Sequence, residues 1–322
     1  MKIAFVGFSQ SGKSTLFNAI AGFAGSAAAA QRERVAVIRI PDPRLDVLHH
    51  LYQAEKITPS TATFIDIEGI VPGRKGNASV LSRIRETDCL IGVLRGEDPV
   101  QTLKNLRIEL AFADLEIIEK SMERLERAGR NHSPEQADHQ ANLALLERLK
   151  PFFEEGGEGE PPDLSDAEEK RLRGYQFLAL KPFLALYNVE DGKEAPPCLE
   201  KTLDLHLHVK LEAELMELDE DVRIAFMGDL GLEKSALENV LRKSHEKLHL
   251  TTFFTAAPNE VRAWEIPPGA STVDAAGRIH TDLARGFIRA EVFSYDDLVR
   301  EGSERGVKAA GKFRIEGKDY IV

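Results

Sequence analysis

The stretch GFSQSGKST occupies residues 7–15 and decides the fold. It fits G-x-x-x-x-G-K-[ST], with Gly7, Gly12, Lys13 and Ser14 at the fixed positions. Such a loop works through its backbone. Glycines permit a turn whose N–H groups point inward at phosphate oxygens. The helix that follows adds the positive end of its dipole. On this pattern Ser9, Gln10, Ser11, Gly12, Lys13, Ser14 and Thr15 wrap a phosphate chain. Lys13 reaches the β- and γ-phosphates and the Ser14 hydroxyl ligates Mg²⁺. The motif has this meaning only between a strand and a helix. Lys2-Ile3-Ala4-Phe5-Val6 is a short apolar run, suited to a strand buried on both faces. Ser14 to Ala21 reads as helix, closed by Gly22.

The chain of 322 residues is long enough for two or three domains. Its 30% charged and 43% hydrophobic residues are those of an ordinary globular protein. No apolar run approaches the ~18 residues of a membrane span. The N-terminus enters a strand at once, so no signal peptide and a cytoplasmic location are expected. Cys89 and Cys198 are far apart and match no metal spacing. The net charge of −11 means that nucleic acid would have to meet a local basic patch.

Around the loop, strand and helix patterns alternate. Phe64-Ile65-Asp66-Ile67, Cys89 to Leu94 and Phe183 to Tyr187 are further strand candidates. Separated by helical patterns, they predict an α/β fold with a mostly parallel sheet. Residues 102–155 interrupt this alternation. Phe112, Leu115, Ile118, Met122 and Leu125 form one apolar stripe of a long helix ending at Gly129. Ser133-Pro134-Glu135-Gln136 supplies an N-cap, a first-turn proline and a capping glutamine for a second helix. That helix carries Leu143, Leu146 and Leu149 as far as Pro151. Together they predict an antiparallel helical hairpin, either packed on itself or serving as a partner-binding arm.

A linker rich in glycine, glutamate and proline follows at 156–162, and Ser165-Asp166-Ala167-Glu168 caps another helix. From about Leu250, strands at Phe253-Phe254, 261–266 and 287–292 surround a helix near 272–284, which predicts a small α+β module.

Asp66-Ile67-Glu68-Gly69 closes a strand candidate. There P-loop NTPases place an Mg²⁺-associated aspartate and a glycine near the γ-phosphate. Asp66 thus joins Ser14 as a metal ligand candidate, and Gly69 joins the phosphate site. Asn188-Val189-Glu190-Asp191 follows the late strand, where such proteins read the base.

These residues resemble the YchF, or Obg-like, ATPases along nearly the whole chain. Residues 40–46 (IPDPRLD) look like that family's stretch after switch I, and 84–88 (IRETD) like its passage after switch II. Residues 252–256, 260–264, 280–282 and 286–292 resemble its C-terminal TGS domain, a β-grasp module. The resemblance implies binding of ATP or GTP with Mg²⁺ and slow hydrolysis. It also implies association with ribosome or RNA through the TGS-like domain and the helical arm. The implied domains are a P-loop NTPase domain at 1–101 and 156–249, a hairpin insertion at 102–155, and a TGS-like domain at 250–322. In the family a further strand usually follows that end.

The departures from the family are local. Ser9, Gln10 and Ser11 replace the family's Pro-Asn-Val, and Gln10 puts potassium activation in doubt. Ala30 aligns with the switch I threonine, and alanine can neither ligate Mg²⁺ nor close a switch on the γ-phosphate. Switch II, at 73–78, is shorter than the family's. Ile70, hydrophobic as in the family, offers no base and cannot orient water. Val189 replaces the lysine that packs on a base, and Asp191 or Glu190 fills the reading position. ATP and GTP therefore both stay open. The alternative to a slow enzyme is a nucleotide-sensing module with little or no hydrolysis.

His206 and His208 are two residues apart, which suits either a metal pair or one polar strand face. Arg262, Arg278, Arg285 and Arg289 lie among aromatic residues, which suits an RNA patch or solvated arginines.

Overall fold

The computed structural model describes residues 1–23, 34–73, 77–129, 136–196, 199, 203–229 and 236–322. The chain begins β1 (Lys2–Val6), α1 (Lys13–Phe23), β2 (Val35–Arg39), α2 (Pro43–Tyr52), β3 (Ile57–Thr58) and β4 (Thr61–Asp66). Next come α3 (Ala78–Arg85), β5 (Cys89–Leu94), α4 (Pro99–Gly129), α5 (Gln136–Glu154), α6 (Asp166–Leu172) and β6 (Phe183–Asn188). β7 (Leu205–Leu207), α7 (Val209–Met216), α8 (Glu220–Asp229) and α9 (Ala236–Lys247) lead to β8 (Thr251–Ala257) and β9 (Glu260–Ile266). Last are α10 (Thr272–Ile279), α11 (Thr281–Arg285), β10 (Ala290–Val292), α12 (Tyr295–Glu301), α13 (Glu304–Ala309) and β11 (Arg314–Glu316). Two compact units result, Met1–Ile38 with Thr63–Lys247, and Arg39–Ala62 with Leu248–Val322. Among the described residues no helix is long and apolar enough to cross a membrane.

The first unit is built on a six-stranded sheet in the order β2-β4-β1-β5-β6-β7. β1 is parallel to β4 and β5, β5 to β6, and β6 to β7. This is the α/β, mostly parallel arrangement the sequence predicts. β5 is buried along its whole length, as its unbroken apolar run requires. On one face Ala4, Val6, Leu90 and Leu94 pack with Ile84 of α3 and with Leu103 and Leu106 of α4. Phe5 alternates to the opposite face and stacks on Phe64 at 5.5 Å between ring centroids.

α4 and α5 form the predicted hairpin. Ala111, Ile118 and Leu125 pack with Leu145, Leu146, Leu149 and Phe153. Phe112, predicted to belong to this stripe, is half exposed, because the inward positions step by seven from Ala111 and leave Phe112 on the flank. Helix α5 continues through Pro151 to Glu154, past the predicted end. Burial of Phe152 and Phe153 in the hairpin core holds that last turn despite the proline. Ser133, Pro134 and Glu135 lie outside the described residues. α1 likewise continues past Gly22, a residue that weakens a helix without ending it. The Ser165 capping box forms as predicted, with the Ser165 backbone N–H donating to Glu168 Oε2 at 2.9 Å.

In the second unit β9 lies between β3, to which it is parallel, and β8, to which it is antiparallel. Leu45 and Leu48 of α2 pack with Val261, Ala263, Leu298 and Val307. Asp42 caps α2, accepting the Arg44 backbone N–H at 3.0 Å. Residues 39–62, placed with the P-loop domain by sequence, therefore group with the C-terminal residues, since β9 supplies the apolar surface that α2 must cover. The single helix predicted near 272–284 is two. His280 is extended (φ −161°, ψ 141°), and its Nδ1 accepts the Asp282 N–H at 3.2 Å, capping α11. The strand predicted at 287–292 shortens to β10, antiparallel to β11, and Ile288 is 82% exposed with no apolar face to join.

Candidate functional site

The GFSQSGKST loop connects β1 to α1, as its motif demands. Gly7 and Gly12 take left-handed conformations, at φ 149° and 99°. Gln10 does too, at φ 64°, a cost that a side chain accepts only when its surroundings impose it. A Cβ on Gly7 would meet the Val93 carbonyl oxygen at 2.6 Å, and one on Gly12 would strike Asn188 Nδ2. At Gly7 space as well as conformation therefore requires glycine, and at Gly12 conformation requires it while a side chain would displace Asn188.

The loop borders a cavity of about 700 Å³ that Ser9 to Thr15 line together with Arg34, Asp66 to Gly69, Arg83 and Arg95. Every predicted phosphate and metal residue, Gly69 included, thus meets in one place. Lys13 is buried at the mouth of α1. Its ammonium donates to the Gly7 carbonyl at 3.0 Å, the Phe8 carbonyl at 2.7 Å and, at the long distance of 3.4 Å, Ser11 Oγ. Burial holds its pKa below the usual lysine range, against the charge of Asp66, which raises it.

Ser14 Oγ donates to Asp66 Oδ2 at 2.9 Å, so the two predicted metal ligands touch. Asp66 is buried, and its Oδ1 makes no hydrogen bond among the described residues. A hydroxyl beside a carboxylate is a hard-oxygen pair able to hold Mg²⁺. Gly69 follows on the same loop. The Ile70 N–H donates to the Gly7 carbonyl at 3.0 Å, which fastens this segment to the phosphate loop. A Cβ on Gly69 would lie 2.7 Å from the Ser9 backbone. Ile70 itself is 1% exposed and packs in the core.

The four predicted base residues separate. Asn188 ends β6, and its Nδ2 donates to the Ser11 carbonyl at 3.0 Å. Val189 is buried among core side chains, which removes it from any side-chain contact with a base. Glu190 pairs with Lys193 at 2.6 Å, and Asp191 with Lys210 at 2.9 Å. These lysines hold both carboxyls below the usual carboxylate range.

Ala30 and the switch I stretch 25–31 lie outside the described residues, as do Arg74, Lys75 and Gly76. The flanks of the short switch II are held. Asn77 Nδ2 donates to the Val71 carbonyl at 2.9 Å, and the Gly73 N–H donates to Glu109 Oε1 at 3.0 Å. Helix α3 is fixed to α4 by Arg85, whose Nη1 lies 2.5 Å from Oδ1 of the fully buried Asp114.

Sequence reasoning passes over three cations of the cavity, Arg34, Arg83 and Arg95. Arg34 binds Ser14 and Asp66 directly. Its one sequence signal is a basic residue directly before the apolar strand β2. His206 packs edge-on against Tyr187, and the described residues contain no cluster of three metal-ligating side chains. In the second unit the Arg262 guanidinium lies over Trp264 at 3.9 Å, and Trp264 stacks on Phe253.

A family model described as 50S ribosome-binding GTPase matches residues 2–124. A second, described as YchF-GTPase_C, a protein of unknown function, matches residues 250–322. The ribosome-binding ATPase YchF of Pasteurella multocida is 39% identical, over 100% of this chain and 96% of its own. That of Bacillus subtilis is 32% identical, over 98% of this chain and 95% of its own. The structure of the Schizosaccharomyces pombe YchF GTPase superposes with a TM-score of 0.84 at 27% identity, covering 100% of this chain and 95% of that one. The alignment with the Pasteurella protein spans 352 positions against the 322 residues here, so that relative carries internal segments this chain lacks.

Proposed function

This chain belongs to the YchF family, and from that premise we propose that it binds ATP or GTP with Mg²⁺, hydrolyses it slowly and acts at the ribosome in the cytoplasm. One observation carries the reading. The glycine-shaped loop places buried Lys13 and the Ser14–Asp66 pair on a single cavity. Loop N–H groups and the α1 dipole bind the phosphates, and Lys13 neutralises their charge. Ser14 and Asp66 would hold Mg²⁺, which fits them because Asp66 Oδ1 is a buried carboxylate oxygen with no other partner among the described residues. When bound, the ion neutralises charge on the β- and γ-phosphates. Asn188 anchors the loop beside the base. Family names leave the base open, since the bacterial relatives are called ATPases and the Schizosaccharomyces pombe structure a GTPase. The helical arm at 102–155 and the TGS-like domain at 250–322 are the surfaces we assign to ribosome or RNA.

A second reading is a nucleotide sensor with little turnover. Ala30 and the short switch II favour it, since alanine at the switch I threonine position can neither ligate Mg²⁺ nor hold a switch on the γ-phosphate. Single-turnover assays with γ-labelled ATP and GTP decide between the two. Slow phosphate release that accelerates in Ala30→Thr supports the enzyme. Binding without release in either protein supports the sensor.

A further inference from the structure

Arg34 stands on Ser14 Oγ, assigned above to the metal, and on Asp66 Oδ2, the carboxylate oxygen next to Oδ1, which has no partner among the described residues. Its Nη1 donates to Ser14 Oγ at 2.9 Å and lies 2.7 Å from Asp66 Oδ2. Its Nη2 donates to Asn18 Oδ1 at 3.0 Å, and the guanidinium carbon sits 5.3 Å from the centre of the Phe17 ring. We propose that Arg34 and a divalent cation are mutually exclusive occupants of the position between Ser14 and Asp66, so that metal enters only as Arg34 withdraws.

This inference rests on the nucleotide reading, and its grounds are local. Mg²⁺ needs oxygen ligands at about 2.0–2.1 Å in octahedral order. A cation held between Ser14 and Asp66 would lie in contact with Arg34 Nη1, where like charge and the N–H hydrogens exclude it. A guanidinium stays protonated at any ordinary pH, so it cannot yield by losing its charge. It can yield by moving. The Arg34 side chain is 43% exposed, so water meets it on the way out. Its backbone stays in place, because the Arg34 carbonyl accepts the Asp66 N–H at 2.9 Å. Side chain and strand are therefore separable, and the exchange needs no change in the sheet. Arg34 also supplies the buried Asp66 with a counter-charge in the metal-free form, which lowers the apparent affinity for metal. A side chain in place about nine-tenths of the time weakens apparent metal binding about tenfold.

The test uses the full chain and a fluorescent nucleoside diphosphate, with its dissociation rate measured from EDTA to saturating Mg²⁺. The proteins are wild type, Arg34→Ala, Arg34→Lys and Lys104→Ala, the last removing a cation of the same unit that does not line the cavity. The expected result is a Mg²⁺ midpoint about tenfold lower in Arg34→Ala, with a smaller fall in Arg34→Lys, whose point charge lacks the fork. Lys104→Ala should stay near wild type. Equal midpoints in wild type and Arg34→Ala overturn the proposal while leaving nucleotide binding intact. An equal fall in Lys104→Ala also overturns it, as mere loss of positive charge. Failure of the labelled nucleotide to bind any of the proteins overturns the nucleotide reading, and this inference with it.

Discussion

The Asn188 side-chain amide donates to the Ser11 carbonyl at 3.0 Å, tying the end of β6 to the phosphate loop. With one of its two amide protons spent on the loop, Asn188 is an anchor of the phosphate loop. Asn188→Ala should weaken ATP and GTP binding alike, by about 1–3 kcal/mol, or roughly five- to 150-fold. Calorimetric titration of both nucleotides checks this. A change confined to one nucleotide would make Asn188 a base reader.

Gly69 leaves no room for a side chain. An alanine Cβ would lie 2.7 Å from both the Ser9 N and Cα, so the phosphate loop itself would have to move. Gly69→Ala should keep the fold and lose about 1–3 kcal/mol of nucleotide affinity, the usual cost of overpacking. Circular dichroism and titration on one sample separate these two effects.

Arg85 and Asp114 join the helix after switch II to the root of the helical arm. Asp114 is fully buried and also accepts the Ala179 N–H at 2.8 Å. Burial pushes its carboxyl up, with Arg85 opposing. Removing the guanidinium strands a buried carboxylate, so Arg85→Ala should cost about 3–5 kcal/mol. Urea unfolding near neutral pH measures it. In the double variant Arg85→Ala with Asp114→Leu, much of that loss should return, because an apolar side chain needs no partner.

Lys13 gives a pH dependence of known sign. Burial lowers its pKa from 10.5 in the folded chain. Between the lowered value and 10.5 the unfolded chain binds more protons, so stability rises with pH in that window. The Lys13 contribution is complete above 10.5 and is lost as pH falls through the folded value. Wild type measured against Lys13→Met should therefore gain stability as pH climbs toward 10.5, and thermal melts of both proteins in alkaline buffers read it. A constant difference would place the ammonium in water.

The strand, loop and helix around Lys13 were legible because their chemistry is local. Each backbone group lies within a few residues of the next, and spacing alone specifies them. Asp66 and Gly69 were legible because a fixed motif marks them. Arg34 was not, since its role arises from a tertiary approach to Ser14 and Asp66 that no spacing encodes. Val189 sits inside the base-reading motif, yet its N–H bonds the Leu207 carbonyl at 2.8 Å and its side chain packs in the core, a tertiary fact no motif encodes. Residues 39–62 read as a continuation of the first sheet. Their place with the C-terminal residues follows from which strand Leu45 and Leu48 cover, a fact of packing. Phe112 shows the same limit, because a helical stripe predicts a face and one residue of drift moves a large side chain to its edge.

The most direct test of the account is calorimetric titration of ATP and of GTP, each with Mg²⁺, into wild type and Lys13→Ala. Wild type should bind at least one nucleotide, and Lys13→Ala, still folded, should lose most of that affinity. Equal binding by both proteins, or none by either, would contradict it and leave the glycine loop as architecture without a ligand.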